Sequence, residues 1–189
     1  IRLITEKDLM TEDLQRQIMA CEKLTDVEDL YRPFKEKKKT KASEAIKMGL
    51  EPLAKKIMAF PTKGSLSDLA KEFPYDLEVS LTGAKYIISE WISDNAYYRK
   101  LIKNEIFFHG SMESKLKKNA SDERLVYKMY YDYSEPIRYA KHYRVLAMNR
   151  GEKEGVLAVN LSFDKDKIMS LLEEKIIKNK DSFVVDEVK

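Results

Sequence analysis

Between Gly83 and Asp94 the apolar side chains recur with the period of one helix face. Ala84, Ile87, Ile88, Trp91 and Ile92 stand at i, i+3, i+4, i+7 and i+8. So broad an apolar stripe has to be buried, so the rest of the chain must supply a layer to cover it. The spacing predicts a helix over 83–94. Asp94 reads as the cap of a second helix carrying Tyr98, Leu101, Ile102 and Ile106, stopped by Gly110. These two helices are expected to pack together around Trp91.

The stretch before them is helical in pattern. Thr5-x-x-Asp8 reads as a capping box, and Leu14, Ile18 and Cys21 form one stripe with Met10. Thr25-x-x-Glu28 reads as a further cap, and Pro33 stops that helix. Lys41 to Met48 suits a helix with Gly49 as its stop. Pro52 opens the next, which carries Leu53, Ile57 and Phe60 and ends at Pro61. Ser65-x-x-Asp68 caps a third. Together, 41–73 reads as a helix-turn-helix-like unit.

The period changes at Ser111. In SMESKLKK, Met112, Ser114 and Leu116 alternate, which predicts a strand with a basic outer edge at Lys115, Lys117 and Lys118. Val156 to Phe163 is the other strand candidate, its expected antiparallel partner. Arg144 to Arg150 reads as a helix stopped by Gly151, and Asp164 as the cap of a last helix with Ile168, Met169, Leu172 and Ile176. FVVDEV near the end reads as a strand. The expected fold is therefore mainly α, with a small antiparallel sheet. The expected division is a helical region over 1–110, a small α/β lobe over 111–178, and a tail over 179–189 leading towards a next domain.

The chain of 189 residues has room for one core or two small lobes. Its net charge is only +3, so a nucleic-acid footprint requires local clustering. The best cluster is Arg32 to Lys41, ten residues with six cations and one acid, Glu36. Tyr31 and Phe34 flank Pro33 and stiffen it. Such a loop suits a phosphate backbone, because Lys and Arg displace condensed counterions. Arg32, Lys35, Lys37, Lys38, Lys39 and Lys41 are the expected contacts; holding phosphates, they would carry no base specificity. The bland reading is a solvated charged surface pinned by its aromatics.

Other chemistry is sparse. Cys21 alone excludes an intramolecular disulfide, fits a reducing compartment, and is expected to be buried. His109 and His142 show no metal-ligand spacing and read as helix-end residues. Six glycines form no phosphate loop, dinucleotide fingerprint or serine elbow. Asp132 and Glu135 read as turn caps, and Glu152 and Glu154 as part of a charged turn. Tyr127, Tyr130, Tyr131, Tyr133, Tyr139 and Tyr143 lie beside Lys128, Arg138, Lys141 and Arg144. They read either as bases' stacking partners or, more simply, as rings buried with wet hydroxyls. No catalytic residue, metal or cofactor is expected. No apolar run is long enough to cross a membrane, and no signal-peptide core opens the chain, so a cytoplasmic location is expected.

Three stretches resemble the Tex family of bacterial transcription accessory proteins. Leu30 to Ala54 fits LYxPFKxKKxTKAxxAxxxGLEPLA; Tyr131 to Ile137 reads YDYSEPI; His142 to Leu157 reads HYRVLAMNRGEKEGVL. Gly83 to Ile88 is a weaker match. The resemblance covers essentially the whole chain and implies the N-terminal region of a longer protein. The family's RNase-H-like, helix-hairpin-helix and C-terminal OB-type RNA-binding domains have no counterpart here, and the start at Ile1 reads as that of a fragment. The resemblance implies a non-enzymatic scaffold that binds RNA or DNA without sequence preference, working with the transcription machinery and the remaining domains of the same protein. The alternative is a protein-interaction scaffold, for example to RNA polymerase, with no nucleic-acid contact.

Overall fold

The computed structural model describes residues 1–35 and 39–189, so the expected contacts Lys37 and Lys38 lie outside the described residues. Along the chain come α1 (Arg2–Thr5), α2 (Glu12–Met19), α3 (Leu24–Tyr31), a 3-10 turn (Arg32–Phe34), α4 (Lys41–Lys47), α5 (Glu51–Met58) and α6 (Leu66–Ala70). Then come α7 (Leu77–Asp94), α8 (Ala96–His109), β1 (Ser111–Leu116), β2 (Asp132–Pro136), α9 (His142–Lys153), β3 (Leu157–Ser162), α10 (Lys165–Ile176) and α11 (Val185–Val188). The fold is mainly helical with a small antiparallel sheet, as expected. Residues 1–99 with 171–189 form one unit, and residues 100–170 form a second.

In the first unit, α4, α5, α6 and α11 all pack on α7. Leu50, Leu53, Ala54, Ile57, Ala84 and Ile87 are fully buried at the centre. Burying each large aliphatic side chain is worth about 1.5–3 kcal/mol. Two local devices set the geometry. Gly49, at φ +79°, ends α4: its N–H bonds Ile46 O at 2.9 Å and the Leu50 N–H bonds Ala45 O at 3.1 Å. This double bond pattern swings Leu50 inward. Gly83 then lets α7 come close, since a Cβ there would lie 2.3 Å from Leu50 Cδ1.

Several sequence expectations change. The α7 helix starts at Leu77, and Gly83 is buried inside it. Trp91 is only partly buried at the margin of the core, and α8 buries no residue fully. Asn95, not Asp94, caps α8, its Oδ1 accepting from the N–H groups of Tyr97 and Tyr98 at 2.9 and 3.3 Å. Thr5 lies inside α1, and Thr11 caps α2 instead. No side chain caps α3 at Lys23, so the Thr25 box does not form. Cys21 is half-buried and donates to Gln17 O at 3.2 Å. The FVVDEV segment is not a strand: Val184 is fully buried in the first unit's core and 185–188 are helical. Ser65 and Asp164 cap α6 and α10 as expected.

The second unit holds a sheet of order β2-β1-β3, all antiparallel. The expected pairing of β1 with β3 forms, from Ser111 opposite Ser162 to Leu116 opposite Leu157. The missed strand is β2, whose Asp132 and Glu135 are strand residues and not turn caps. It places β1 in the centre, so Lys115 lies on a central strand and not at an outer edge. Met112 and Ser114 face inward; Ser114 Oγ donates to Tyr130 O at 2.7 Å. Helix α9 runs through Gly151 to Lys153, and the turn falls at Gly155, φ +81°. Gly151 is buried because α9 lies on β3: a Cβ there would meet Leu157 Cδ1 at 2.7 Å and Tyr127 Cδ1 at 3.0 Å.

Asp122 closes the loop between β1 and β2. Its carboxylate accepts from the N–H groups of Tyr127 (2.8 Å) and Val126 (3.0 Å) and from the Tyr131 hydroxyl (2.9 Å). Burial alone would raise its pKa; the donors from Tyr127, Tyr131 and Val126 outweigh it and hold the group below the ordinary aspartate range.

Two predictions follow from this packing. Gly83→Ala and Gly151→Ala should each lower stability by about 1–3 kcal/mol, because overpacking outweighs the helix propensity that alanine adds. Urea titrations should show a lower midpoint with an unchanged slope; an unchanged midpoint would refute the close approach. Asp122 has a depressed folded pKa, so its stabilising effect is complete above the unfolded value of about 3.9 and is lost as pH falls through the folded one. Melting followed against pH should show Asp122→Ala losing stability at neutral pH, and the gap to the parent closing in acid.

Candidate nucleic-acid interface

The basic segment springs from the end of α3 and returns at the start of α4, and ion pairs anchor its first end. Arg32 Nε donates to Asp94 Oδ1 at 2.8 Å; the arginine side chain is 48% exposed and the aspartate 9%. Asp29, on α3, accepts from Arg99 Nε at 2.6 Å. Lys7 Nζ donates to Phe34 O at 2.9 Å, tying the 3-10 turn to the loop after α1. Buried carboxylates keep their charge only with such partners.

A capping box anchors the second end. Thr40 Oγ1 accepts from Ser43 N–H at 3.0 Å, and Ser43 Oγ accepts from Thr40 N–H at 2.9 Å. Thr40 Oγ1 also donates to Glu90 Oε1 on α7 at 3.1 Å. The box is legible in the sequence as T-x-x-S before Ala45 and Ile46, a weaker form of the usual T-x-x-E signal.

The structure places the described cations as follows. Lys35 is exposed and has no carboxylate partner among the described residues. Lys39 is exposed and pairs with Glu44 Oε1 at 2.8 Å. The hydrogen bond and charge of Glu44 raise the Lys39 amine above the usual lysine range, and Lys39 lowers Glu44 in return. Lys41 Nζ sits 4.9 Å from the centroid of the Tyr86 ring and 3.3 Å from its hydroxyl. Arg32, Lys39 and Lys41 are thus brought to one surface of the first unit, each already engaged within the chain. Pairs between exposed groups are weak and screened by solvent, so a phosphate competes readily for Lys39.

Beside Lys41 lies a groove of about 410 Å³ between α4 and α7, with Ala45, Met48, Val79, Thr82 and Tyr86 on its walls. The sequence singled out none of these as a site, because α7 reads as a purely core-facing helix and Tyr86 lies only in the weaker match Gly83 to Ile88.

Elsewhere, His109 is exposed with Nε2 4.0 Å from Glu105, and His142 is the exposed first residue of α9. Tyr127 and Tyr130 are buried, and the Tyr127 hydroxyl donates to Glu154 Oε2 at 2.8 Å. Glu135 pairs with Arg144 at 2.6 Å. No helix among the described residues is long and apolar enough to cross a membrane.

Comparison with known proteins places these features in a family. Residues 65–183, more than half of the chain, match the family model described as Tex central region-like. The chain is 46% identical over 97% of its length to the uncharacterized protein YdcI of Bacillus subtilis, and covers 27% of that protein. It is 31% identical to the protein tex of Bordetella pertussis, over 86% of this chain and 21% of the relative. It is 29% identical to human S1 RNA-binding domain-containing protein 1, over 86% of this chain and 17% of the relative. The chain thus spans about a quarter or less of the length of these relatives.

The Lys39–Glu44 pair carries its own test. Glu44→Gln should return the Lys39 amine towards the ordinary lysine value, read by NMR titration of the side-chain Nζ. An unmoved titration would mean that the pair does not form in solution.

Proposed function

The chain belongs to the Tex family, and on that premise we propose that it is a non-enzymatic scaffold of a transcription accessory protein that grips nucleic-acid backbones through its basic segment. Arg32, Lys35, Lys37, Lys38, Lys39 and Lys41 are the contacts, and the ligand is RNA or DNA without sequence preference. The observation that carries this reading is the anchoring of the segment at both ends. The Asp29, Asp94 and Thr40 contacts hold its ends in place, and its cations Lys35, Lys39 and Lys41 face solvent. A cationic segment with both ends held spends less ordering entropy on a phosphate chain than a free tail does. Two relatives, a transcriptional accessory protein Tex and an S1 RNA-binding domain-containing protein, support nucleic acid or the transcription machinery as partner. The proposed place of action is the cytoplasm, alongside the remaining domains of the full-length protein.

A second reading has an observation of its own. The groove between α4 and α7 is largely apolar, with Met48 and Val79 on its walls, and it suits a protein segment better than a phosphate. In that reading the chain is a protein-interaction scaffold, for example to RNA polymerase.

Fluorescence anisotropy separates the two. Labelled single-stranded RNA and duplex DNA are titrated with the chain at low and moderate salt. The parent should bind both, with affinity falling steeply as salt rises. Changing Lys37, Lys38 and Lys39 to Ala should reduce the salt slope by about 0.7–0.9 per lost phosphate contact. Glu44→Gln should strengthen binding by releasing Lys39. Absence of binding at low salt would leave the protein-scaffold reading.

A further inference from the structure

We infer that the second unit carries a separate stacking platform for single-stranded nucleic acid, formed by Tyr139 and Tyr143 with Arg138, Lys141 and Arg150. The inference needs nothing from the basic segment and survives if that reading fails.

The rings are the first observation. Tyr127 is buried and Tyr131 partly buried, and the hydroxyl of each is satisfied by a carboxylate. Tyr139 and Tyr143 are different: they are 59% and 63% exposed. Arg138 lies over the Tyr139 ring at 4.6 Å and Arg144 over the Tyr143 ring at 5.5 Å. A guanidinium covers one face of a ring, leaving the rest of these exposed rings for a base, and cation–π contact adds to such stacking.

The support is the second observation. Helix α9 has one buried and one exposed face. Val145, Met148 and Gly151 face the core, with Met148 fully buried and Gly151 pressed on Leu157 and Tyr127. On the other side Tyr143, Leu146 and Arg150 follow one another at i, i+3 and i+7, and all are exposed. Tyr139 ends the 3-10 turn Ile137–Tyr139 just before the helix, and Ile137 N–H bonds Gly110 O at 3.0 Å. Both tyrosines therefore project from backbone that packing has fixed.

Charge complementarity chooses the occupant. Residues 136–151 contain no Asp or Glu, but hold Arg138, Lys141, Arg144 and Arg150. Arg144 is committed to Glu135. Arg138, Lys141 and Arg150 have no carboxylate within ion-pair distance among the described residues. Exposed aromatic faces beside Arg138, Lys141 and Arg150 match a polyanion with flat bases. Every base has a π-face, so the binding is expected to tolerate sequence.

The test uses the whole chain and three labelled oligomers of about 12 nucleotides: oligouridylate, oligodeoxythymidylate and an abasic deoxyribose phosphate. Tyr139→Ala with Tyr143→Ala should weaken binding of the base-bearing oligomers about tenfold per lost stack and leave the abasic one unchanged. Tyr139→Phe with Tyr143→Phe keeps the rings and should bind like the parent. A 4-thiouridine oligomer cross-linked to the parent should give adducts at Tyr139 or Tyr143, which needs no variant to fold. Equal loss on the abasic oligomer, parent-like binding by the alanine variant, or cross-links confined elsewhere would overturn the platform. The Lys37, Lys38 and Lys39 variant tells the two readings apart: it weakens all three oligomers alike if the basic segment holds phosphates, and leaves all three parent-like if only the platform binds.

Discussion

The first unit depends on one close approach, that of the Leu50 side chain to the backbone of α7 at Gly83. Leu50 reaches this place because Gly49 takes a left-handed conformation and closes α4 with two hydrogen bonds. The approach is possible because position 83 has no Cβ. With α4 and α5 seated on α7, the apolar faces of all three close one core, into which Val184 also packs from the far end of the sequence. The second unit repeats the device. Gly151 admits α9 onto β3, and the left-handed turn is displaced to Gly155. In each unit a turn glycine and a contact glycine do different jobs, one by its φ and the other by its size.

The electrostatics follow from that packing. The Asp29 and Asp94 side chains are mostly buried, so each is held by an arginine, Arg99 and Arg32 respectively. The basic segment starts where these pairs form. Its cations divide accordingly: Arg32 is a structural anchor as well as a surface charge, while Lys35 and Lys39 stand in solvent, where attraction is weak and exchangeable. In the second unit, Glu135 holds Arg144 in the same way, while Arg138, Lys141 and Arg150 have no carboxylate within ion-pair distance among the described residues.

Much of this was legible in the sequence, for identifiable reasons. The α7 stripe, the Gly49 stop, the Ser65 and Asp164 caps and the β1–β3 pair rest on local periodicity or local hydrogen bonds, and these appear as expected. The misses share a different cause. Strand β2 has only Tyr133 as a weak apolar signal, and it forms by pairing with the free edge of β1. Gly83 and Gly151 were read as helix boundaries, since glycine is a poor helix former, yet each stays helical because a neighbouring layer presses on it. FVVDEV looked like a strand by its valines, but burial of Val184 in the helical core decided its form. The basic segment was visible as charge, whereas the carboxylates that engage its cations come from α4 and α7, some from far along the chain.

By itself, then, the sequence determined the elements whose signals lie within about one or two helical turns, and the motifs that mark the family. The tertiary structure decided which glycine ends a helix and which is pressed by a neighbour, and which carboxylate meets Arg32. It also decided which tyrosines turn inward, as Tyr127 does, and which stay in water, as Tyr139 and Tyr143 do. The physical reason is that period and capping are properties of neighbours along the chain. Burial and ion pairing depend on residues as far apart as Arg32 and Asp94, which only packing brings together.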